Sequence, residues 1–236
     1  FLPMGSVVYQ QYISDTPTTI VSNLKDDGYT CIAMHPYYET GWSRNLVYPH
    51  IGFDEMHFID YFDQTKILRE YITDQELYDK IIRRYENRKN NEKLFFMGIT
   101  MQNHGGYTET YDNFPENYYK VGRSYTDANQ YLSLVHESDE AVKNLISYFS
   151  KVDDPVEIIF FGDHQPSLNS NFYPILNGKG LTGLTEDELE KLYTVPFFIW
   201  TNYDTPEETV DITSLDYLST MALERAGIEL PAYNKF

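Results

Sequence analysis

The segment Gly162-Asp163-His164 carries two residue types that bind divalent metals. A carboxylate and a neutral imidazole together suit borderline cations such as Mn²⁺ or Zn²⁺. Neighbouring side chains on a regular strand point to opposite faces, so both can bind one ion only where the strand has ended, and Gly162 permits such a break. The residues alone leave a second interpretation open, in which Asp163 caps a turn and His164 lies on the surface.

A second group of candidates, formed by His35, Trp42 and Arg44, lies in one short segment. Arginine offers fixed donors for a phosphate, and tryptophan offers a flat wall for a glycerol or sugar backbone. A histidine can give a proton to an oxygen or take one from it. The alternative is a loop with a structural tryptophan and a solvated arginine.

His104 is the third candidate, and it is followed by Gly105 and Gly106. A histidine beside two glycines can reach a ligand that approaches the backbone closely. A lone histidine is more often structural, so His104 gains weight only together with the other candidates.

The elements that must position these side chains are short apolar runs, which predict strands over residues 29–34, 94–101, 156–161 and 195–200. The first three runs lead into the segments that carry His35, His104 and Asp163-His164. Ligands of open α/β sheets bind at the carboxyl ends of the strands. We therefore expect the three strand ends to converge on one face and to form a single site.

Helical patterns alternate with these strands, which predicts an α/β fold over residues 1–236 as a single domain. The first predicted helix follows an Asp15-Thr16-Pro17 cap and ends at Gly28, and the second runs from Thr73 or Asp74 to about Arg88 with Leu77, Ile81 and Ile82 facing inward. The third covers residues 125–149, and its apolar side comprises Leu132, Val135, Val142, Leu145 and Ile146. A short helix capped by Thr185 and a last helix over residues 213–226 complete the set.

Composition excludes several classes of function. The formal net charge of −18 and the lack of a basic run argue against a nucleic-acid partner, although one arginine and a metal can still attract a phosphate locally. The single cysteine, Cys31, cannot form an internal disulfide, and we expect a small buried strand residue there. The sequence opens on Phe1 without an initiator methionine or an apolar span, which indicates an excised fragment.

Taken in order, the motifs resemble the lipoteichoic acid synthase family. The matching segments are His35 with Trp42 and Arg44, then residues 47–54, then residues 101–104, then Phe161-Gly162-Asp163-His164, and the resemblance runs from about Phe1 to the strand near Trp200. This family comprises membrane-anchored phosphoglycerol transferases whose sulfatase-like catalytic domain lies outside the cell. The resemblance implies an alkaline phosphatase/sulfatase-like sheet flanked by helices, with the N-terminal part missing.

The resemblance also implies roles for the candidates. Asp163 and His164 are expected to bind the metal, which is Mn²⁺ or else Mg²⁺, and the glycerophosphate pocket is expected to comprise His35, Trp42, Arg44 and His104. The other metal ligands in the family are a glutamate and the threonine nucleophile, both upstream of the region that resembles Phe1. We interpret Thr18 and Thr19 as cap and helix residues, so this chain is expected to contain no catalytic nucleophile.

The implied reaction is transfer of glycerophosphate from a phosphatidylglycerol headgroup to a hydroxyl of a polymer or glycan at the extracellular membrane face. A metal-activated threonine attacks the phosphodiester, diacylglycerol leaves, and Arg44 and the metal offset the phosphoryl charge. His35 or His104 is expected to carry the proton of the leaving group or of the acceptor.

Two alternatives stay open. One is a sulfatase or phosphodiesterase of the same superfamily, although a tryptophan two residues before an arginine favours glycerophosphate over sulfate. The other is a non-catalytic binding module. We expect the chain of 236 residues by itself to be inactive, to bind a divalent metal weakly at best, and to self-associate through an open sheet edge.

Overall fold

A computed structural model describes residues 8–13, 17–114 and 125–235. The chain divides into two compact units. Unit one comprises residues 1–104, 110–115 and 137–142, and unit two comprises residues 105–109, 116–136 and 143–236. In the described part of the chain, no helix combines the length and the apolar character that crossing a bilayer requires.

Unit one contains four complete α-helices and five strands among its described residues, besides the 3-10 turns Gly41–Ser43 and Ile59–Tyr61. In chain order they are α1 (Val8–Gln11), α2 (Ile20–Asp26), β1 (Tyr29–Met34), α3 (Arg44–Ile51), β2 (Glu55–His57), β3 (Ile67–Leu68), β4 (Tyr71–Ile72), α4 (Asp74–Glu86) and β5 (Lys93–Gly98). The predicted strand over 94–101 is therefore shorter than expected at its carboxyl end, and the short strand β2 was not predicted.

The sheet of unit one is parallel, with the strand order β2-β1-β5. Its central strand β1 ends in the buried apolar run of residues 31–34, as expected of a buried parallel strand, and Cys31 within it is fully buried. Burial, followed by the charge of Asp54, raises the pKa of the Cys31 thiol to about 11, so the expected structural role is confirmed. Met34 lies opposite Gly98, so the segments after β1 and β5 leave the sheet at the same edge.

Hydrogen-bonded caps start the two helices of unit one that the sequence predicted. Thr19 caps α2: its Oγ1 accepts from the Ser22 amide at 3.3 Å, while the Ser22 Oγ accepts from the Thr19 amide at 2.9 Å. The predicted Asp15-Thr16-Pro17 cap is therefore wrong, since the chain turns helical only after Thr19; Asp15 and Thr16 lie outside the described residues. Thr73 caps α4 as predicted.

The buried face of α4 also agrees with the pattern of the sequence. Leu77 and Ile81 are buried and Ile82 is half-buried. Residues three and four positions apart share one helix face, which is why the apolar spacing identified this helix.

Unit two contains the antiparallel pair of β6 (Glu157–Phe161) and β7 (Phe197–Thr201), in which Ile159 lies opposite Ile199. Its helices are α5 (Thr126–Phe149), which also contributes residues 137–142 to unit one, α6 (Tyr173–Asn177), α7 (Glu186–Lys191) and α8 (Leu218–Arg225). Thr185 caps α7 as predicted, with Glu188 completing the reciprocal pair.

The long helix α5 confirms its predicted bounds but corrects one predicted inward residue. Val135 is 39% exposed, whereas its neighbour Leu134 is fully buried. One residue is a step of about 100° around a helix, so an apolar pair leaves the choice of the inward member to the tertiary structure.

Candidate active site

Unit one brings together four side chains that the sequence singled out: His35, Trp42, Arg44 and His104. The centres of the His35 and Trp42 rings lie 6.0 Å apart, and those of the His104 and Trp42 rings lie 5.9 Å apart in an edge-to-face arrangement. The Arg44 guanidinium carbon lies 4.5 Å from the centre of the Trp42 ring. Trp42 is thus the common neighbour of the other three.

Arg44 is a buried cation without an acidic partner in the described part of the chain. Its Nε donates to the Tyr48 hydroxyl at 3.0 Å and its Nη1 donates to the Gly41 carbonyl at 3.3 Å. No carboxylate of the described residues pairs with it. A buried charge without a counter-ion is costly, so this arrangement favours an anionic ligand beside Arg44.

The backbone that presents Trp42 is left-handed at two consecutive residues. Trp42 has φ +52° and Ser43 has φ +58°, and neither is a glycine. Each left-handed L-residue costs roughly 1–2 kcal/mol. The Tyr9 hydroxyl donates to the Trp42 carbonyl at 2.6 Å and helps to hold the turn. Strain of this kind is concentrated at binding and catalytic sites.

Replacing Ser43 with glycine is expected to raise the free energy of unfolding by about 1 kcal/mol, because glycine adopts the left-handed conformation without a steric cost. The Ser43 hydroxyl caps nothing, so little is lost. Ser43→Ala is the matched control: it removes the same hydroxyl but keeps the Cβ. Urea unfolding of both variants checks the prediction, and equal stabilities would contradict it.

His35 is fully buried and neutral. Its Nδ1 lies 2.9 Å from the Ile99 carbonyl, which can only accept, so Nδ1 carries the proton. Burial is the main cause that lowers the pKa of His35 to about 4, and the Arg44 charge adds to it. Its Nε2 is therefore an acceptor, and this atom has no hydrogen-bond partner among the described residues. A ligand hydroxyl would satisfy it.

His104 is held from two sides by the hairpin of β3 and β4. Arg69 Nη2 donates to the carbonyl of His104 at 2.8 Å, and the Tyr71 hydroxyl lies 3.3 Å from His104 Nδ1. The Tyr71 and His104 rings meet edge to face at 5.6 Å. The ring of His104 is thereby fixed between Tyr71 and Trp42.

A buried polar network anchors the segment before His104. The Ser138 hydroxyl donates to Asp74 Oδ2 at 2.5 Å and accepts from Asn103 Nδ2 at 2.9 Å. The Asp74 amide donates to Gln102 Oε1 at 3.2 Å. Burial raises the pKa of the Asp74 carboxyl to about 6, and its Oδ1 has no partner among the described residues.

Asp163 and His164 lie in unit two, directly after β6. The strand has ended at Phe161, as the predicted break at Gly162 requires. A Cβ on Gly162 would meet the Val195 side chain at 3.1 Å, so the glycine permits close packing against the segment just before β7. Both Asp163 and His164 are exposed, at 86% and 77% of their side chains.

The geometry of this pair suits a divalent cation. His164 Nδ1 lies 2.9 Å from the Gln165 carbonyl, so the proton is on Nδ1 and Nε2 presents a lone pair. That Nε2 lies 3.5 Å from Asp163 Oδ2. Two acceptors this close together can share one cation, which would need further ligands to complete its coordination. Across the described ranges, no cluster of three or more His, Cys, Asp or Glu side chains forms a fuller metal site.

The predicted site residues thus fall into two groups, the cluster around Trp42 in unit one and the Asp163-His164 pair in unit two. Their convergence on one face stays a prediction. Sequence reasoning missed Tyr37, whose ring lies 5.8 Å from Trp42, and the pair Arg69 and Tyr71. Tyr37 lies within the His35 motif, whereas nothing in the local pattern marks the hairpin.

Comparisons with known proteins identify a family and related sequences. The family model described as Sulfatase matches residues 2–228. A Rhizobium meliloti protein named for cyclic beta-1,2-glucan modification is 29% identical across 100% of this chain and 38% of its own length. The lipoteichoic acid synthase of Staphylococcus saprophyticus is 29% identical across 69% of this chain and 25% of its own length.

A solved structure is also similar. It is the Streptococcus pyogenes phosphoglycerol transferase GacH in complex with sn-glycerol-1-phosphate, at 25% identity and a TM-score of 0.62 over 84% of this chain and 50% of that one. The chain therefore spans half or less of the length of these relatives.

Proposed function

The chain belongs to the sulfatase family, and from that premise we propose that it is part of a metal-dependent phosphoglycerol transferase. The predicted resemblance to the lipoteichoic acid synthases and the predicted alkaline phosphatase/sulfatase-like α/β fold are both confirmed. The proposed reaction moves glycerophosphate from a phosphatidylglycerol headgroup to a hydroxyl of a cell-envelope polymer or glycan.

One observation carries the proposal: two buried groups lie beside Trp42. One is the Arg44 guanidinium, which has no carboxylate partner among the described residues, and the other is the His35 Nε2, an acceptor without a hydrogen-bond partner among them. The guanidinium favours an anion such as a phosphoryl group, and the His35 Nε2 favours a hydroxyl. A ligand that combines an anion with hydroxyl groups on a short carbon backbone fits both, and the Trp42 ring can cover that backbone. Glycerophosphate has these features, whereas sulfate alone leaves the His35 Nε2 unsatisfied.

Asp163 and His164 are the residues that would hold the metal, because their exposed acceptors lie 3.5 Å apart with the correct histidine proton arrangement. The proposed ion is Mn²⁺, with Mg²⁺ as the alternative. When bound, such an ion lowers the pKa of a coordinated hydroxyl and offsets phosphoryl charge. The proposal assigns the threonine nucleophile to chain outside these 236 residues, so the chain by itself would be inactive.

Within this chain, each side chain of the cluster has a proposed task. Arg44 binds the phosphoryl oxygens and stabilises the charge that grows on them, and Trp42 orients the glycerol. The His35 Nε2 accepts a hydrogen bond from a glycerol hydroxyl. His104 handles the proton of the leaving or the accepting oxygen. We also propose that both units belong to one catalytic domain, which acts at the extracellular face of a membrane as part of an anchored protein.

The full-length protein that contains this chain provides the test. It is assayed with Mn²⁺ on vesicles that contain phosphatidylglycerol, and on an aryl sulfate. We expect diacylglycerol release with the glycerophosphate recovered on a hydroxyl acceptor. Free glycerophosphate in place of that product would identify the phosphodiesterase alternative, and sulfate release would identify the sulfatase alternative; either outcome rejects the transferase.

A further inference from the structure

We infer that Arg69 and Tyr71, on the β3–β4 hairpin, are positioning residues that hold His104 with a protonated Nε2 facing the substrate. The inference rests on the proposed function for the identity of that substrate. It assigns His104 the role of a hydrogen-bond donor, opposite to the acceptor role of His35.

Arg69 fixes the backbone of the segment that carries His104. Its Nη2 donates to two carbonyls, those of Gln102 and His104, each at 2.8 Å. The same segment is closed by the His104 amide, which donates to the Met101 carbonyl at 3.0 Å. Arg69 is buried, and its hydrogen bond to the Gln102 carbonyl is buried with it, whereas the bond to the His104 carbonyl is partly exposed. One guanidinium from another part of the chain therefore helps to fix the position of the His104 backbone.

The hairpin that carries Arg69 is itself strained and braced. Arg69 adopts φ +56°, a left-handed conformation that costs a non-glycine residue roughly 1–2 kcal/mol. Asn113 Nδ2 donates to the carbonyls of Ile67 and Arg69, at 3.3 and 3.1 Å. The Arg69 guanidinium also lies 5.6 Å from the centre of the Tyr71 ring. A strained turn with this bracing is typical of a segment that is kept for the geometry it imposes.

Tyr71 sets the proton arrangement of the His104 ring. Burial raises the pKa of the Tyr71 phenol above its ordinary value, so the hydroxyl keeps its proton. A phenol is a better donor than acceptor, and the unprotonated nitrogen of a neutral imidazole is a good acceptor, so we infer that the Tyr71 hydroxyl donates to His104 Nδ1, which lies 3.3 Å away. The His104 proton is then on Nε2, where it can be donated to a phosphoryl or leaving-group oxygen.

The two histidines beside Trp42 therefore differ in what they offer. A backbone carbonyl, which can only accept, places the His35 proton on Nδ1, whereas the Tyr71 phenol, as the better donor, favours a His104 proton on Nε2. One site thus contains an acceptor for a glycerol hydroxyl and a donor for an oxygen that gains charge.

The test measures the His104 ring directly. Nitrogen-15 labelling of histidine and long-range proton–nitrogen NMR on this chain report which ring nitrogen carries the proton. We expect the Nε2–H form of His104 in the wild type and a mixture of both forms in Tyr71→Phe, which keeps the ring and loses only the hydroxyl. Tyr61→Phe is the matched control, because Tyr61 stacks on His57 at 3.9 Å outside the cluster. An Nδ1–H form in the wild type, or no change in Tyr71→Phe, would overturn the inference.

Kinetics of the full-length enzyme add a second measurement. Tyr71→Phe is expected to lower kcat about tenfold with KM within about twofold, since only part of the contribution of the proton donor is lost. Arg69→Lys is expected to lower kcat as well, because an ammonium cannot reproduce the planar guanidinium. An unchanged kcat in both variants contradicts the positioning role. Absence of any glycerophosphate transfer by the wild type, with the NMR result as expected, would reject the proposed function and leave the assignment of His104 intact.

Discussion

Arg44→Ala is expected to lower kcat/KM of the full-length enzyme at least about 100-fold while leaving the fold intact. A charged donor that stabilises a transferring phosphoryl group typically contributes about 3 kcal/mol or more to the transition state. The fold should tolerate the change because Arg44 has no acidic partner among the described residues, so its removal strands no buried carboxylate. The Tyr48 hydroxyl loses one hydrogen bond, a loss of about 1 kcal/mol.

Two further variants make the result for Arg44 specific. Arg44→Lys keeps the charge but loses the fork of donors, so we expect a loss between those of the wild type and the alanine variant. Arg83→Ala removes an exposed arginine of α4 in the same unit and is expected to leave kcat/KM unchanged. Kinetics of Arg44→Ala near wild type, with an unchanged circular dichroism spectrum, would show that Arg44 does not contact the reacting group.

The second large effect concerns how the free energy of unfolding depends on pH. His35 and Asp74 are expected to change it in opposite directions as pH rises. The folded-state pKa of His35, about 4, lies below its ordinary value of 6.5, so this residue adds stability as pH rises through that window. The folded-state pKa of Asp74, about 6, lies above its ordinary value of 3.8, so it removes stability as pH rises. Each shift corresponds to about 3 kcal/mol, and the two contributions nearly cancel in the wild type.

Single substitutions should expose each contribution. As pH rises from 4 to 6.5, the free energy of unfolding of Asp74→Asn is expected to increase by about 3 kcal/mol, whereas that of the wild type changes little. In this variant the contribution of His35, which increases with pH, is no longer offset by Asp74. His35→Gln, which has a neutral side chain, is expected to lose about 3 kcal/mol over the same range. The effects should be visible in unit one, where both residues are buried.

The single cysteine provides the measurement for this prediction. Cys31 is fully buried in β1 of unit one, so its reaction with a dithiodipyridine reagent in increasing urea reports unfolding of that unit. Rates are divided by those of the unfolded chain at each pH, which removes the intrinsic ionisation of the thiol. Parallel pH curves for the wild type and both variants would mean that neither side chain titrates as its burial predicts.

Much of the local structure could be predicted because it depends on neighbours in sequence. Helix α4 follows from Thr73 as a cap and from apolar residues three and four apart, and β1 follows from the apolar run of residues 31–34. Elements too short to show a hydrophobic period were missed. Strand β2, for example, has only three residues. The choice between Leu134 and Val135 as the inward residue of α5 also needed the packed structure.

The candidate site divides in the same way. The sequence by itself determined the chemistry that is available: an arginine, a tryptophan and two histidines after strands, and an aspartate next to a histidine after a glycine. These are local facts, and the family resemblance could be stated from them and was confirmed.

Only the tertiary structure decided the state of each group. Whether Arg44 has an acidic partner, and which nitrogen of His35 or His104 carries the proton, depends on atoms far away along the chain. Arg69 and Tyr71 contact His104 across separations of 35 and 33 residues, and Ile99 contacts His35 across 64. Periodicity and motif spacing describe neighbours only, whereas charge compensation and proton position are set by three-dimensional contacts that form when the strands assemble.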